Sequence, residues 1–298
     1  MNTKSFKRQL RILRRKKWPV AVAIIAAIAI IATPIANSSY KKHQRFSVKN
    51  PVPYSVIFIL RTEREKVQLI AHRGYNAQAP ENTIPAFQKA AEYGFDTIEF
   101  DVHQTSDGVW VVAHDENIKS VTDKKGKISS YTYYDLVTAT INEGANLKNY
   151  DNLKIPTLEQ VLKICLETNL KPMIEIKTYK DSGIKSLVES IDKYGFTESC
   201  SIISFDYQAL QLVEKESPDI KLYYLTSDLK DKNSEEILKS KSMGISFNGN
   251  KNGNDEKVKD FINAEIPLAC WTIDDGETMQ KYFKLGVTTF VTNKIYPR

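Results

Sequence analysis

Seven residues with ionisable side chains stand at or near the ends of short apolar segments, where they could form a reaction centre. They are His72, Arg73, Glu99, Asp101, His114, Glu175 and Lys177. The acids in "IEFD" and "IEIK" lie between apolar neighbours, where burial of an unpaired charge is costly and a bound cation would remove the cost. Three carboxylates without a Cys or His-x-x-x-His pattern form an oxygen-rich set that suits Ca²⁺ or Mg²⁺ better than structural zinc.

The other four residues of this set suit an anionic substrate beside such a cation. Arg73 can hold phosphate oxygens with its forked guanidinium, and Lys177 can do so as a point charge. Histidine titrates near neutral pH, so His72 and His114 can supply a base for the nucleophile and an acid for the leaving alkoxide. The combination predicts metal-assisted phosphodiester cleavage, and it leaves open which histidine acts first.

The segments that carry these residues belong to a regular alternation of apolar runs and amphipathic helical stretches. Eight apolar runs follow one another between Lys66 and Thr292. This pattern predicts an α/β fold, specifically a (β/α)8 TIM barrel. Active sites in such barrels lie at the C-terminal ends of the strands. Glu99 and Asp101, two residues apart on one strand, point to the same face, so the ionisable residues are expected to converge on one rim.

One segment interrupts the alternation after the second predicted strand. The sequence "HQTSDGVWVVAHD" contains the hairpin signal Asp107-Gly108. A fold-back immediately before Asp107 predicts that Glu99 lies opposite His114. Residues from about 116–154 are polar and predict a small insertion before the next helix.

Positive charge is concentrated at the N-terminal end of the chain. The net charge is +6, but no Asp or Glu precedes Glu63, and residues 1–62 contain 13 of the 42 Lys and Arg residues. From Glu63 onward the net charge is −7, which gives the domain no electrostatic basis for binding nucleic acid. Residues 20–36 are 17 consecutive uncharged residues, at the lower edge of the length that spans a bilayer.

Eight Lys and Arg residues precede this apolar run, so the positive-inside rule predicts a cytoplasmic N-terminus and an extracellular domain. The predicted organisation is a basic cytoplasmic segment (1–19), one transmembrane helix (20–36), a juxtamembrane linker (37–65) and a catalytic domain (66–298). The alternative is a cleaved signal peptide and a secreted protein. Pro34 makes a poor cleavage pattern, which favours a single-pass anchor in the cell membrane.

Several motifs occur in an order and spacing that resemble one known family. They are "AHRG", "PENTIPAF", "IEFDVHQTSDGVWVVAHD", "IEIK" and "CWTID", spread from about Val67 to Pro297. This set resembles the glycerophosphodiester phosphodiesterases, which are PLC-like phosphodiesterases. The resemblance implies a TIM barrel with a small insertion and one divalent cation, Ca²⁺ or Mg²⁺. It also implies hydrolysis of glycerophosphodiesters to sn-glycerol 3-phosphate and an alcohol.

The resemblance assigns expected roles to the matching residues. It implies an acid and base pair of His72 and His114, phosphate contacts from Arg73 and Lys177, metal ligation by Glu99, Asp101 and Glu175, and support from Glu81 and Asn82. Trp271 is expected to form an apolar wall at the glycerol end. His103 shares the face of the acids and is expected either to support them indirectly or to have no role in the site. Asn293 stands where many relatives carry Asp, which puts a charged role there in doubt.

The leading hypothesis is therefore a membrane-anchored, outward-facing glycerophosphodiesterase. By the same resemblance, the glycerol hydroxyl of the substrate attacks phosphorus, and water then opens the cyclic phosphate. Its substrates would be deacylated phospholipids such as glycerophosphocholine, or glycerol-phosphate polymers of an envelope. One alternative is a phosphodiesterase for intact phospholipid, in which the insertion forms a lipid-facing rim. The other is a non-catalytic binding barrel, against which the complete set of predicted site residues argues.

Overall fold

The computed structural model describes residues 51–297, with the exception of 54–56, 58–62, 64 and 252. The predicted basic segment (1–19) and transmembrane helix (20–36) lie outside the described residues, as does most of the linker. Within the described ranges, no helix has both the length and the apolar character needed to cross a membrane.

Eight parallel strands form a closed barrel, as the alternation predicts. Their bounds are β1 Gln68–Ala71, β2 Thr97–Gln104, β3 Lys171–Thr178, β4 Ser201–Ser204, β5 Lys221–Thr226, β6 Gly244–Asn248, β7 Leu268–Trp271 and β8 Thr289–Thr292. Each strand pairs with the next in parallel, and β8 pairs with β1 to close the ring. Because all eight are parallel, their C-terminal ends meet at one rim.

Seven helices cover the outside of the barrel in the described part of the chain. They are α1 Ile84–Glu92, α2 Leu158–Thr168, α3 Ile184–Lys193, α4 Tyr207–Glu216, α5 Lys232–Ser240, α6 Asp255–Asn263 and α7 Gly276–Lys284. Side-chain caps begin most of them; for α2, Thr157 and Gln160 form a reciprocal capping box. After β8, the segment Ile295–Tyr296 pairs with Val52–Pro53 in parallel.

The apolar core has two layers that follow from the strand pattern. Outward-facing strand residues pack under the helices, as where the buried rings of Phe87 on α1 and Phe100 on β2 meet edge to face at 5.7 Å. Inward-facing residues fill the barrel itself and form the floor beneath its C-terminal rim. This inner cluster comprises Ile70, Met173, Ile203, Leu225 and Val291.

The predicted hairpin is present after β2, but its predicted register is wrong by one residue. The arm Trp110–Val112 runs antiparallel to β2, with Val102 opposite Val112. The loop holds three residues, because the Thr105 N–H donates to the Val109 carbonyl at 2.9 Å. Gly108 occupies the left-handed region at φ 88°, which is the usual end of a three-residue loop. The extra loop residue moves the pairing, so Glu99 does not lie opposite His114.

The predicted insertion folds as a small layer against this hairpin. It contains one short helix, Tyr133–Leu136, and three single-turn 3₁₀ segments. Its buried residues join those of the hairpin arm in a separate apolar cluster. The members are Val111, Ala113, Ile118, Ile128, Leu136, Ala139 and Ile155. The insertion is therefore a packed extension of the loop after β2 that carries His114 at its start.

Candidate active site

A cavity opens at the C-terminal rim of the barrel, and six of the seven ionisable residues line it. These six are His72, Arg73, Glu99, His114, Glu175 and Lys177. The seventh, Asp101, is 1% exposed; its Oδ1 lies 3.2 Å from Nζ of Lys177. Trp271 lines the opposite side of the same cavity. The structure thus brings the predicted residues together, while their chemical roles stay predictions.

Three buried carboxylates form the centre of the charged wall, which is the side of the cavity that carries the six ionisable residues with Asp101 behind them. Glu99 and Asp101 share one face of β2, and Asp101 is directly paired with Glu175 on β3. One oxygen from each of the three lies within 4.8 Å of the others. Glu99 Oε1 is buried and makes no hydrogen bond within the described protein, whereas the buried Asp101 Oδ1 and Glu175 Oε1 lie against Nζ of Lys177. This donor set fits a hard divalent cation.

Lys177 partly compensates the charge of these acids. Its Nζ lies 2.5 Å from Glu175 Oε1 and 3.2 Å from Asp101 Oδ1. Burial alone would raise the pKa of Asp101, but Lys177 and Arg73 outweigh burial and hold that pKa well below its usual range. One ammonium group therefore lies against two of the three carboxylates.

The other two acids resist ionisation. Burial raises the pKa of Glu175 to about 8, with the negative charge of Asp101 as the next cause. Burial also raises the pKa of Glu99, and the charges of Asp101 and Glu175 add to this shift. A cation among these oxygens would favour the ionised forms, which is the electrostatic requirement of a metal site.

The loop after β1 orients Arg73 at the edge of the cavity. Nη1 of Arg73 donates to both oxygens of Glu81, at 3.0 and 2.9 Å, and its backbone N–H donates to Glu99 Oε2 at 2.9 Å. Asn82 Nδ2 donates to Asp101 Oδ2 at 2.8 Å. Glu81 and Asn82 therefore occupy positions from which they brace the guanidinium and a carboxylate, as the resemblance implies.

The orientation of His72 is set by Asn293. Asp274 receives the Asn293 backbone N–H at 2.7 Å and its side-chain Nδ2 at 2.8 Å, so the amide oxygen must face the other way. That oxygen lies 2.8 Å from Nδ1 of His72 and accepts from Asn76 Nδ2 at 2.6 Å. An acceptor at this position requires the proton on Nδ1, which leaves Nε2 for the cavity. Burial lowers the pKa of His72 to about 3, so its imidazole is neutral at neutral pH.

His114 has a different partner, the carboxylate of Asp115. Nδ1 of His114 lies 2.8 Å from Asp115 Oδ1. The His114 carbonyl oxygen lies 3.2 Å from Nε2 of His103, whose Nδ1 lies 2.8 Å from the Thr178 hydroxyl. His103 is 1% exposed and is not among the residues that line the cavity. His103 therefore contacts the backbone of His114 from outside the cavity, and its expected indirect role stays a prediction.

Sequence reasoning missed the polar partners behind His72 and most of the wall facing the acids. That wall consists of Ile203, Phe205, Leu225, Ser246, Trp271, Thr272 and Val291. These residues could have been found from their positions in the sequence, because each of them lies in or directly after a barrel strand. The Phe205 ring meets Trp271 edge to face at 5.8 Å and remains 48% exposed at the mouth. The cavity is thus charged on one side and largely apolar on the other.

A barrel rim with clustered acids, two cationic side chains and two histidines defines a TIM-barrel phosphodiesterase. The sequence profile of the glycerophosphoryl diester phosphodiesterase family matches residues 72–296, and the chain belongs to this family. This confirms the family and the enzyme class predicted from the motifs. The chain is 32% identical to the glycerophosphodiester phosphodiesterase of Caldanaerobacter subterraneus over 239 residues, which cover 76% of this chain and 94% of the relative.

Other relatives extend the similarity in sequence and in structure. Mouse glycerophosphodiester phosphodiesterase 1 is 35% identical over 176 residues, covering 57% of this chain and 53% of that protein. Among solved structures, an Oleispira antarctica phosphodiesterase in complex with the product sn-glycerol-3-phosphate superposes with a TM-score of 0.70 at 25% identity. That superposition covers 76% of this chain and 93% of the other.

Proposed function

We propose that this chain hydrolyses glycerophosphodiesters to sn-glycerol 3-phosphate and an alcohol, with a divalent cation held by Glu99, Asp101 and Glu175. The observation that carries the proposal is the convergence of three buried carboxylates, with one oxygen of each within 4.8 Å of the others, beside two histidines and two cationic side chains. The bound product of the Oleispira relative supports the same reaction. Ca²⁺ and Mg²⁺ both suit the oxygen donors.

The residues of the charged wall have different roles in the proposed reaction. A divalent cation, when bound, supplies Lewis-acid polarisation of the phosphoryl oxygens. Arg73 and Lys177 bind the remaining phosphate oxygens. The glycerol hydroxyl next to the phosphoester attacks phosphorus, its proton passes to one histidine, and the leaving alkoxide takes a proton from the other. Water then opens the cyclic phosphate with the two histidines in reversed roles.

The hydrogen bonds of the two histidines support an order of action. His72 is held by a neutral amide, with its proton on Nδ1, so Nε2 is free to accept the hydroxyl proton. Nδ1 of His114 lies 2.8 Å from the Asp115 carboxylate instead, and His114 is the other histidine that lines the cavity. We therefore assign His72 as the first base and His114 as the first acid.

The test is identification of the product. Purified full-length protein with Ca²⁺ or Mg²⁺ is incubated with glycerophosphocholine, and sn-glycerol 3-phosphate is measured against free phosphocholine. The proposal expects sn-glycerol 3-phosphate and choline. Phosphocholine as the product would mean that the other ester bond is cleaved and would refute the assignment. Cleavage of phosphatidylcholine in the absence of glycerophosphocholine turnover would favour a phosphodiesterase for intact phospholipid instead.

We also propose that residues 20–36 anchor the enzyme in the cell membrane with the barrel outside. The support is the uncharged run of 17 residues behind eight Lys and Arg residues. An enzyme in this position would meet glycerophosphocholine and glycerol-phosphate polymers outside the cell.

A further inference from the structure

Ser246 on β6 is a buried serine whose side chain lines the candidate active-site cavity. It is 0% exposed, and its Oγ makes no hydrogen bond within the described protein. Buried hydroxyl groups almost always have a partner, because leaving one unsatisfied is unfavourable. A buried hydroxyl that has no protein partner and faces a cavity is placed to bind a ligand.

The groups around Ser246 make its hydroxyl distinctive. Ile203, Leu225 and Val291 provide the apolar floor beside it. The indole of Trp271 contributes only its carbon surface, because Nε1 donates to the backbone carbonyl of Ser246 at 3.0 Å. Trp271 therefore cannot offer its N–H to a substrate hydroxyl while this bond is kept. The Ser246 hydroxyl is therefore a polar group beside the apolar floor of the cavity, and Thr272 lies above it at the rim.

The charged wall and the apolar wall of the cavity favour one orientation of a bound glycerophosphodiester. The phosphate must lie against the charged wall formed by the ends of β1, β2 and β3. The glycerol then lies towards β4 to β8, where its carbon atoms contact Trp271 and the apolar floor. One glycerol hydroxyl attacks phosphorus and therefore points to the charged wall. The terminal hydroxymethyl group is left facing the apolar wall, where it needs a polar partner.

We propose that Ser246 Oγ hydrogen-bonds this terminal hydroxyl and so selects glycerol esters over shorter diol esters. The inference rests on the proposed glycerophosphodiesterase function and adds a specificity-determining residue to it. A site that satisfies a substrate hydroxyl discriminates against an analogue without it, because the buried partner is then left unpaired. The alternative explanation is steric: a small residue at 246 makes room for Trp271, in which case alanine would serve equally well.

The test compares two substrates in wild-type protein and Ser246→Ala. Glycerophosphocholine carries the terminal hydroxymethyl group, whereas 2-hydroxyethyl phosphocholine lacks it but keeps the hydroxyl that attacks phosphorus. Ser246→Ala is expected to lower kcat/KM for glycerophosphocholine by about 10- to 100-fold, the usual effect of losing a buried hydrogen bond to substrate. For the two-carbon analogue, kcat/KM is expected to stay within about twofold of wild type, because that analogue has no group for Ser246 to bind.

Matched variants separate binding from folding. Ser234 on α5 is also buried, and its Oγ makes no hydrogen bond, but it does not line the cavity. Ser234→Ala should therefore leave kcat/KM unchanged for both substrates. Ser246→Cys keeps the volume and should lose the same discrimination as alanine. Equal losses on both substrates, or no loss on either, would overturn the role of Ser246. A wild type that cleaves neither substrate would instead overturn the proposed function, and this role with it.

Discussion

Glu175 is held in surroundings that oppose its charge, and this has a measurable consequence for stability. Burial and the neighbouring Asp101 raise its pKa to about 8, whereas a Glu in the unfolded chain titrates near pH 4.5. Between these values, the folded protein holds a proton that the unfolded chain has released. The folded state therefore loses stability as the pH rises through this interval.

We predict that this loss is visible as a difference between wild type and Glu175→Gln in the presence of chelator. The melting temperature of the wild type should fall relative to that of the variant between pH 5 and pH 8. Added Ca²⁺ or Mg²⁺ should reverse the trend in the wild type only, because the cation favours the ionised carboxylate. Parallel curves for the two proteins without metal would show that Glu175 ionises normally.

Asn293 is the second residue for which the structure makes a specific prediction. Asn293→Leu removes the acceptor that fixes Nδ1 of His72 and leaves the cavity lining itself intact. We expect kcat for glycerophosphocholine to fall about 100-fold, the lower end of the effect of general acid–base catalysis, with KM nearly unchanged. The ¹⁵N spectrum of the His72 ring should show loss of the Nδ1–H tautomer.

A buried amide elsewhere provides the control for Asn293. Asn254 accepts from the Leu229 N–H and donates to the Asn248 carbonyl outside the cavity lining. Asn254→Leu should lower stability without a change in the His72 tautomer. If Asn293→Leu kept full kcat, or lost it only through unfolding, the positioning role would be wrong.

The sequence predicted the charged residues of the site better than their neutral partners. Acids within apolar strands are conspicuous, because an isolated buried charge is costly. The contact between His72 and Asn293 joins residues 221 positions apart, and no local sequence pattern predicts it. The hydroxyl of Ser246 was equally inconspicuous, because a serine in a strand is ordinary until its neighbours are known.

At the scale of elements, the turn between β1 and α1 depends on Gly74. This residue has φ 72°, and a Cβ there would lie 2.8 Å from the backbone carbon of Ala86 on α1. Gly195 has nearly the same φ, 73°, with no atom within 4 Å of an added Cβ. The two glycines thus share a backbone conformation but differ in the space around them.

We predict different outcomes for alanine at these two glycines. Gly195→Ala should reduce the free energy of unfolding by about 1–2 kcal/mol, the cost of the left-handed conformation alone, and keep full activity. Gly74→Ala should be clearly more destabilising and should lose most activity, because the clash displaces the loop that holds His72 and Arg73. Urea unfolding and kcat measure both effects. Equal destabilisation by the two substitutions would contradict the packing of this turn on α1.

The hairpin after β2 shows where prediction of elements reached its limit. Asp107-Gly108 correctly indicated a turn, but the dipeptide does not fix the number of loop residues. The tertiary structure accommodates a third residue, with Gly108 left-handed, and this shifts the pairing of the whole arm by one. Existence of the element was therefore predictable, and register was not.

At the scale of the whole molecule, the barrel could be predicted because its period is repeated eight times. Each apolar run and each amphipathic stretch is ambiguous alone, but their alternation admits few topologies. The pairing of β8 with β1 closes the sheet, so all C-terminal strand ends share one rim. That geometry brings together residues that lie far apart in the sequence.

The proposed anchor makes a prediction about the location of this barrel. External protease applied to intact cells should remove the catalytic domain of the full-length protein, because the domain is expected outside the membrane. A variant without residues 1–36 should remain inside the cell and be protected. Full protection of the wild type, in cells where a known surface protein is cleaved, would contradict the proposed topology.

The central claim is that the three buried carboxylates hold a divalent cation on which glycerophosphodiester hydrolysis depends. The most direct measurement is release of sn-glycerol 3-phosphate from glycerophosphocholine by chelator-treated protein, before and after re-addition of Ca²⁺ or Mg²⁺. We predict loss of turnover on chelation, recovery with one or both cations, and no recovery in Glu99→Gln. Turnover that persists after complete metal removal, or that is unaffected in Glu99→Gln, would contradict the claim.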